Sequence, residues 1–278
     1  MTYQEPLSQR VIAVSISESP DMDTLGLGKE HLDDAMAEIA RHLLAMGAQL
    51  LYGGDLRPKG FTELLFELVA RHRRDADVGD ERVGVTNVLA WPVHLSLPAD
   101  TVNQLAADLR GAAELVCLAL DGRVMTTEER LVLIPRPAVA DEWAEGLTTM
   151  RRRMTEISDA RIVLGGRVEG FKGRMPGVGE EALIALGMGR PLYVLGGFGG
   201  CARDIVDRLG FAGQQADARQ PWPGEDEFGH FNIESLRNGL SAEENTILAR
   251  TVHIDQAITL ILRGLYRHFG NGAATEAH

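Results

Sequence analysis

Cysteine is nearly absent from this chain: Cys117 and Cys201 are its only two in 278 residues. Two thiols, both in apolar or glycine-rich surroundings, cannot form a disulfide framework and predict a reducing, cytoplasmic setting. Long apolar runs are absent as well. None approaches the roughly 18 residues of a bilayer-spanning helix, and Met1–Arg10 lacks an apolar core of signal-peptide length. No membrane association is therefore expected. Positive charge is also scarce, with 28 Lys and Arg against 40 Asp and Glu, a formal net charge of −12. Nucleic-acid affinity rests on neutralising phosphates with basic side chains, so DNA or RNA is not an expected partner. A small anionic ligand stays open, because a pocket can be locally positive. The eight histidines show no HExxH or other paired spacing, which predicts no metal. Neither a GxSxG elbow nor a Walker A lysine pattern occurs, which speaks against a serine hydrolase or a P-loop NTPase. No cofactor is implied.

What is present is an alternation of short apolar runs with amphipathic segments, in a chain of 45% hydrophobic and 24% charged residues that is ordinary for a globular protein. Val11–Ile16, Gln49–Tyr52, Val83–Trp91, Glu114–Leu120, Ala160–Leu164 and Pro191–Leu195 read as strands. Between them lie helical patterns. Leu32, Met36, Ile39, Leu43 and Met46 mark one face; Phe61, Leu64, Leu65, Leu68 and Val69 a second; Trp143, Leu147, Met150, Met154 and Ile157 a third. Thr101–Arg110 also reads as helix, Met125–Pro137 is ambiguous, and a helix follows Gly200 through Leu209. This order predicts an α/β fold, a Rossmann-like three-layer αβα arrangement with a mostly parallel sheet, plus C-terminal helices. The domain is expected over residues 1–212. Residues 213–278 are expected as a C-terminal excursion and helices packing on it or on a partner. Within that part Gln214–Asn232 reads as a surface excursion, Ser241 as a helix N-cap, Ile254, Ile258, Ile261 and Leu265 as one helix face, and Ala273–His278 as a frayed end.

Glycine is abundant, 31 in all, and it concentrates where function is expected. Gly165–Glu181 holds six glycines in seventeen residues and stands between a strand and a helix start. Strand, glycine-rich loop, helix start is an arrangement that directs backbone N–H groups and a positive helix end at an anion. The bland alternative is a turn-rich connector. Within the loop, Gly165, Gly166, Pro176, Gly177 and Gly179 are candidate ligand-binding backbone. Arg167, Lys172 and Arg174 are candidate phosphate partners. Glu180 and Glu181 admit three readings: favouring the helix dipole, accepting a hydrogen bond from a ribose hydroxyl, or acid–base work on an N-glycosidic bond. Gly53, Gly54 and Asp55 follow the second strand and are either a tight turn or, with Ser17, ligand contacts on the same sheet edge. Gly197, Phe198 and Gly199 follow the last strand and are candidates for a second phosphate or base-side loop. In parallel sheets ligands bind at the carboxyl ends of the strands where the order reverses, so the three loops are expected to converge there. Arg151, Arg152 and Arg153 are either a solvated helix face or include one ligand contact.

Three stretches together resemble the SLOG superfamily, which groups the SMF/DprA proteins with the LOG phosphoribohydrolases. Leu50-Leu51-Tyr52-Gly53-Gly54-Asp55 resembles the "YGG" strand end of LOG. Asp159–Gly166 resembles its "DAFIALPGG" run, and Pro176–Glu181 resembles the remainder of its "PGGxGTxxE" loop. Here the double glycine and the Pro-Gly are separated by Arg167–Met175, where LOG has them continuous, and the glutamates follow Gly179 by one and two places instead of three. The split loop looks closer to SLOG modules associated with TIR-type Thoeris defence systems. That likeness implies a sensor that binds a nucleotide or nucleotide-sugar, NAD-derived and ADP-ribose-like, with a TIR or NADase partner and a homo-oligomeric state, in antiviral defence and not itself an enzyme. The likeness to LOG implies the alternative, a nucleoside 5'-monophosphate phosphoribohydrolase with Glu181, Glu180 and Arg151 as catalytic residues. A DprA-like nucleic-acid binder is disfavoured by the acidic balance.

Overall fold

Six of the apolar runs form strands: β1 (Val11–Ser17), β2 (Gln49–Tyr52), β3 (Val85–Leu89), β4 (Ala113–Cys117), β5 (Ala160–Gly165) and β6 (Leu192–Leu195). Among the described residues the α-helices are α1 (Lys29–Ala45), α2 (Phe61–Asp75), α3 (Trp91–His94), α4 (Ala99–Asp108), α5 (Thr127–Leu131), α6 (Ala140–Ile157), α7 (Gly177–Gly187), α8 (Gly200–Arg208), α9 (Ala242–Arg250) and α10 (Ile254–Gly270). The structure is a computed structural model, and it describes residues 5–75, 83–109, 113–211 and 220–270. Arg110, the first part of the Gln214–Asn232 segment and the Ala273–His278 end lie outside them.

The strands make one sheet in the order β4-β3-β2-β1-β5-β6, every pair parallel. The α/β three-layer Rossmann-like architecture is thus as the alternation predicts. Alternate side chains of a strand point to opposite faces. Ile12, Val14, Ile16, Ile162 and Leu164 therefore meet α1, α2, α9 and α10 on one side. Ala13 and Leu51 meet Met150 and Met154 of α6 on the other, while Val163 and Val194 meet α7 and α8. The chain runs outward from β1 to β4, then returns to place β5 against the free side of β1. The switch point of the sheet lies between those two strands, where Ser17 pairs with Gly165 at their carboxyl ends.

Several local expectations are corrected. The third strand stops at Leu89 because Trp91-Pro92 opens a short helix, where proline's missing N–H costs nothing. The ambiguous 125–137 stretch contains only α5, started by Thr126, whose Oγ1 accepts the Glu129 N–H at 3.2 Å while Glu129 Oε2 accepts the Thr126 N–H at 2.8 Å. The described part of the expected surface excursion is mostly exposed, as its polar composition predicts, but two of its aromatics are anchored inside. Trp222 and Phe228 are buried in the core formed by α7 and α8, and Trp222 Nε1 donates to Asp204 Oδ2 at 3.0 Å. Their polar and proline-bearing neighbours masked this in sequence, since only the spaced aromatics face inward. Ser241 caps α9, its Oγ accepting the Glu244 N–H at 3.2 Å. The helices α9 and α10 complete the layer that holds α1, through Leu248, Ala257, Ile258, Ile261 and Leu265.

Candidate functional site

A cleft of about 720 Å³ opens at the carboxyl ends of β1, β2 and β5, within the range of about 300–1,000 Å³ usual for small-molecule sites. β1 supplies Ser17 and Glu18, and the turn after β2 supplies Gly53 to Pro58. One wall is α3 with Pro92 and Val93, another is α6 with Trp143, Leu147, Met150 and Arg151, and the loop after β5 supplies Arg167 and Gly170 to Lys172. Four basic side chains (Arg57, Arg151, Arg167, Lys172) and two acidic ones (Glu18, Asp55) line it, in a chain of net charge −12. Arg57 Nε lies 2.6 Å from Asp55 Oδ2, whereas Arg167 Nη2 is 3.9 Å from Glu18 Oε2. Lys172 Nζ sits over the Trp143 ring, 4.1 Å from its centroid. Burial, then the charge of Asp55, pushes the Tyr52 hydroxyl above its ordinary pKa, so at neutral pH it remains a phenol able to donate.

Behind the cleft is a buried charge network. The Arg151 guanidinium is ion-paired to Glu180 of α7, whose Oε1 also accepts the Thr148 hydroxyl at 2.5 Å. Glu181 Oε2 accepts from Arg161 Nη1 at 2.8 Å, and that same nitrogen donates to Ser15 Oγ at 2.7 Å. Arg161 Nη2 donates to Thr155 Oγ1 at 3.2 Å, and Thr155 Oγ1 donates to the Arg151 carbonyl at 2.9 Å. Arg151 Nε and Glu181 Oε1 lie 3.8 Å apart, which joins the two pairs. All four ionised residues are buried, Arg161 completely. Its burial lowers the guanidinium pKa, opposed by Glu181. The network bolts α6, α7 and β5 together, with only Arg151 reaching the cleft wall.

The glycines of the loops have specific tasks. Gly165 and Gly166 have φ of 63° and 109°, a region that favours residues without Cβ. Gly165 lets the loop pass the Ser17 carbonyl, which a Cβ would approach to 2.3 Å. Ser17 in turn accepts the Gly166 N–H at its carbonyl (2.8 Å) and the Arg167 N–H at its hydroxyl (3.3 Å). Gly173 and Gly177 leave room for the Arg151 guanidinium, whose nitrogens a Cβ would meet at 2.8 and 2.9 Å. Gly179 makes room for the Trp222 ring and the Cys201 sulfur, which a Cβ would meet at 2.8 and 3.0 Å. Gly53 and Gly54 admit Met154 and the Tyr52 ring.

Of the residues singled out in sequence, Ser17, Gly53, Gly54, Asp55, Arg151, Arg167 and Lys172 line one cleft. Gly165, Gly166, Arg174, Pro176, Gly177, Gly179, Glu180 and Glu181 do not, although the first two fix the root of the loop that does. The loop after β6 reaches the same edge and touches Gly166, whose carbonyl accepts the Cys201 N–H at 3.0 Å. It does not enter the cleft: Gly197 lies against the Thr251 carbonyl, Phe198 is core, and Gly199 lies against Asp21. Sequence reasoning did not assign Arg57, Phe61, Trp143, Phe171 or Arg161 to the site. Arg161 carried a signal, a charge inside an otherwise apolar strand; Trp143 carried none, being one apolar position of a helix stripe. No group of three or more metal-ligating side chains occurs among the described residues, and none of the helices there is long and apolar enough to cross a membrane.

A wholly parallel sheet with a switch point beside β1, and a cleft at that point lined by strand ends and a glycine-rich loop, defines the Rossmann-like class of α/β protein. The chain belongs to the SLOG cluster2 family, which residues 6–233 match. Membership of the SLOG superfamily brings with it the expectation of a nucleotide-related ligand or a LOG-like function. None of the curated proteins matches the chain.

Proposed function

We propose that this protein binds a nucleotide or nucleotide-sugar, NAD-derived and ADP-ribose-like, and acts as a sensing module in place of an enzyme. One observation carries the reading: a cleft with an excess of basic groups at the switch point of an otherwise acidic protein. Ligand phosphates have Arg167, Lys172 and Arg151 as partners, and Glu18 and Asp55 are acceptors for sugar hydroxyls. Ligand binding orders the loop at residues 167–175 and shifts the population toward a form recognised by another copy or by a TIR or NADase partner in cytoplasmic antiviral defence. Calorimetry with ADP-ribose and its cyclic isomers tests the proposal. Heat of binding with no turnover is the expected result; silence with all of these and with common nucleotides counts decisively against it.

The alternative, a LOG-type phosphoribohydrolase, is favoured by one feature, the position of Arg151 between the cleft and Glu180. A ligand phosphate that draws the guanidinium away leaves Glu180 free to act on the sugar. Binding is preferred because both glutamates are engaged by buried arginines and neither lines the cleft. Release of free base from a nucleoside monophosphate panel, abolished by Glu180→Gln or Glu181→Gln, would reverse that preference.

A further inference from the structure

Trp143, Leu147 and Arg151 are spaced four residues apart on α6, so they share the helix face that walls the cleft. From Trp143 to Arg151 is eight residues, about 12 Å along the axis. A lone phosphate or a free base spans only part of that distance. Trp143, Leu147, Pro92 and Val93 give the cleft apolar lining, and Arg151 brings charge to the other end of this helix face. Across the indole face lies the Lys172 ammonium, 4.1 Å from the ring centroid. No carboxylate among the described residues forms an ion pair with Lys172, so the ring is its partner. Lys172 is exposed and stands between Gly170 and Gly173. Gly170 has φ 65° and nothing within 4 Å of where a Cβ would be, so the loop has room to turn there.

We infer that Trp143 is the stacking platform for the base of a nucleotide ligand, and that Lys172 covers its face until the ligand arrives and then turns its ammonium to the phosphates. The inference rests on the proposed nucleotide-binding role of the same cleft and adds the residue that selects for a base. A flat π-system suits an indole face better than an exposed ammonium does, because stacking buries apolar area that the ammonium leaves wet. The freed cation then gains a charge-assisted bond to phosphate.

The test is calorimetry with two probes, ADP-ribose and ribose 5-phosphate, on the full chain and on Trp143→Ala, Trp143→Phe and Lys172→Met. Trp143→Ala is expected to weaken ADP-ribose by roughly 5- to 150-fold while leaving ribose 5-phosphate unchanged, and Trp143→Phe to recover most of the loss. Lys172→Met is expected to weaken both probes. If Trp143→Ala weakens the two probes equally, or neither, the tryptophan is a staple for the loop and the inference falls while nucleotide binding stands. If the unaltered protein binds neither probe, both readings fall together.

Discussion

Arg151 and Glu180 close on each other between the cleft and the first turn of α7, and both are withdrawn from solvent. The pair is asymmetric. Arg151 also forms part of the cleft wall, whereas Glu180 does not line the cleft. On the proposed reading, an anion entering the cleft would compete with Glu180 for a guanidinium already desolvated, and that competition would carry the effect of binding to α7.

Removing one member of such a pair leaves a buried charge without compensation, which typically costs about 3–5 kcal/mol. Arg151→Ala is expected to lose that much in urea unfolding. Glu180→Gln, which keeps an acceptor for the Thr148 hydroxyl, is expected to lose less. Equal midpoints for Arg151→Ala and the unaltered protein would show that the network is not holding α6 to α7.

Two loop glycines are expected to differ sharply. In Gly200→Ala the new Cβ meets the Gly166 carbonyl at 2.2 Å with φ at 59°, combining a clash with a left-handed backbone, for a loss of about 3 kcal/mol or more. Gly170→Ala bears the backbone cost alone, about 1–2 kcal/mol. Thermal unfolding of the two variants side by side checks the order.

His94 is fully buried, with Nε2–H donating to the Leu118 carbonyl at 2.8 Å. Burial, helped by the charge of Arg130, lowers its pKa from 6.5 to about 4. The unfolded chain thus binds the proton first as pH falls. The stability due to neutral His94 is complete above pH 6.5 and is lost progressively down to about pH 4, in total about 3 kcal/mol. Denaturant midpoints measured across this window should fall with acidification, and more steeply than in His94→Phe. Parallel slopes would remove the assignment.

Truncation after residue 212 removes Trp222 and Phe228 from the α7–α8 core and Leu248, Ile258, Ile261 and Leu265 from the α1 layer. The shortened chain is expected to lose near-UV circular dichroism and to bind hydrophobic dyes, because the apolar faces of α1 and α8 stay uncovered. A cooperatively unfolding 1–212 fragment would contradict this.

Periodicity located the six strands and the longer helices, though not the short helices at Trp91–His94 and Thr127–Leu131, because the spacing of apolar residues is a local property that survives in one dimension. Val11–Ile16, Gln49–Tyr52 and the stripe Leu32–Leu43 are legible in that way, and so is the anion-suited strand–loop–helix at Gly165. The motif order was sufficient for the resemblance to SLOG. Tertiary structure alone decided which chemistry faces which space. Glu180 and Glu181 are adjacent in sequence, yet one turns to Arg151 and the other to Arg161, a strand residue twenty positions earlier. Trp143 looked like core and stands in the cleft; Trp222 looked superficial and is buried. Side-chain direction at such positions depends on which element packs opposite, and that partner lies too far along the chain for any local pattern to name it.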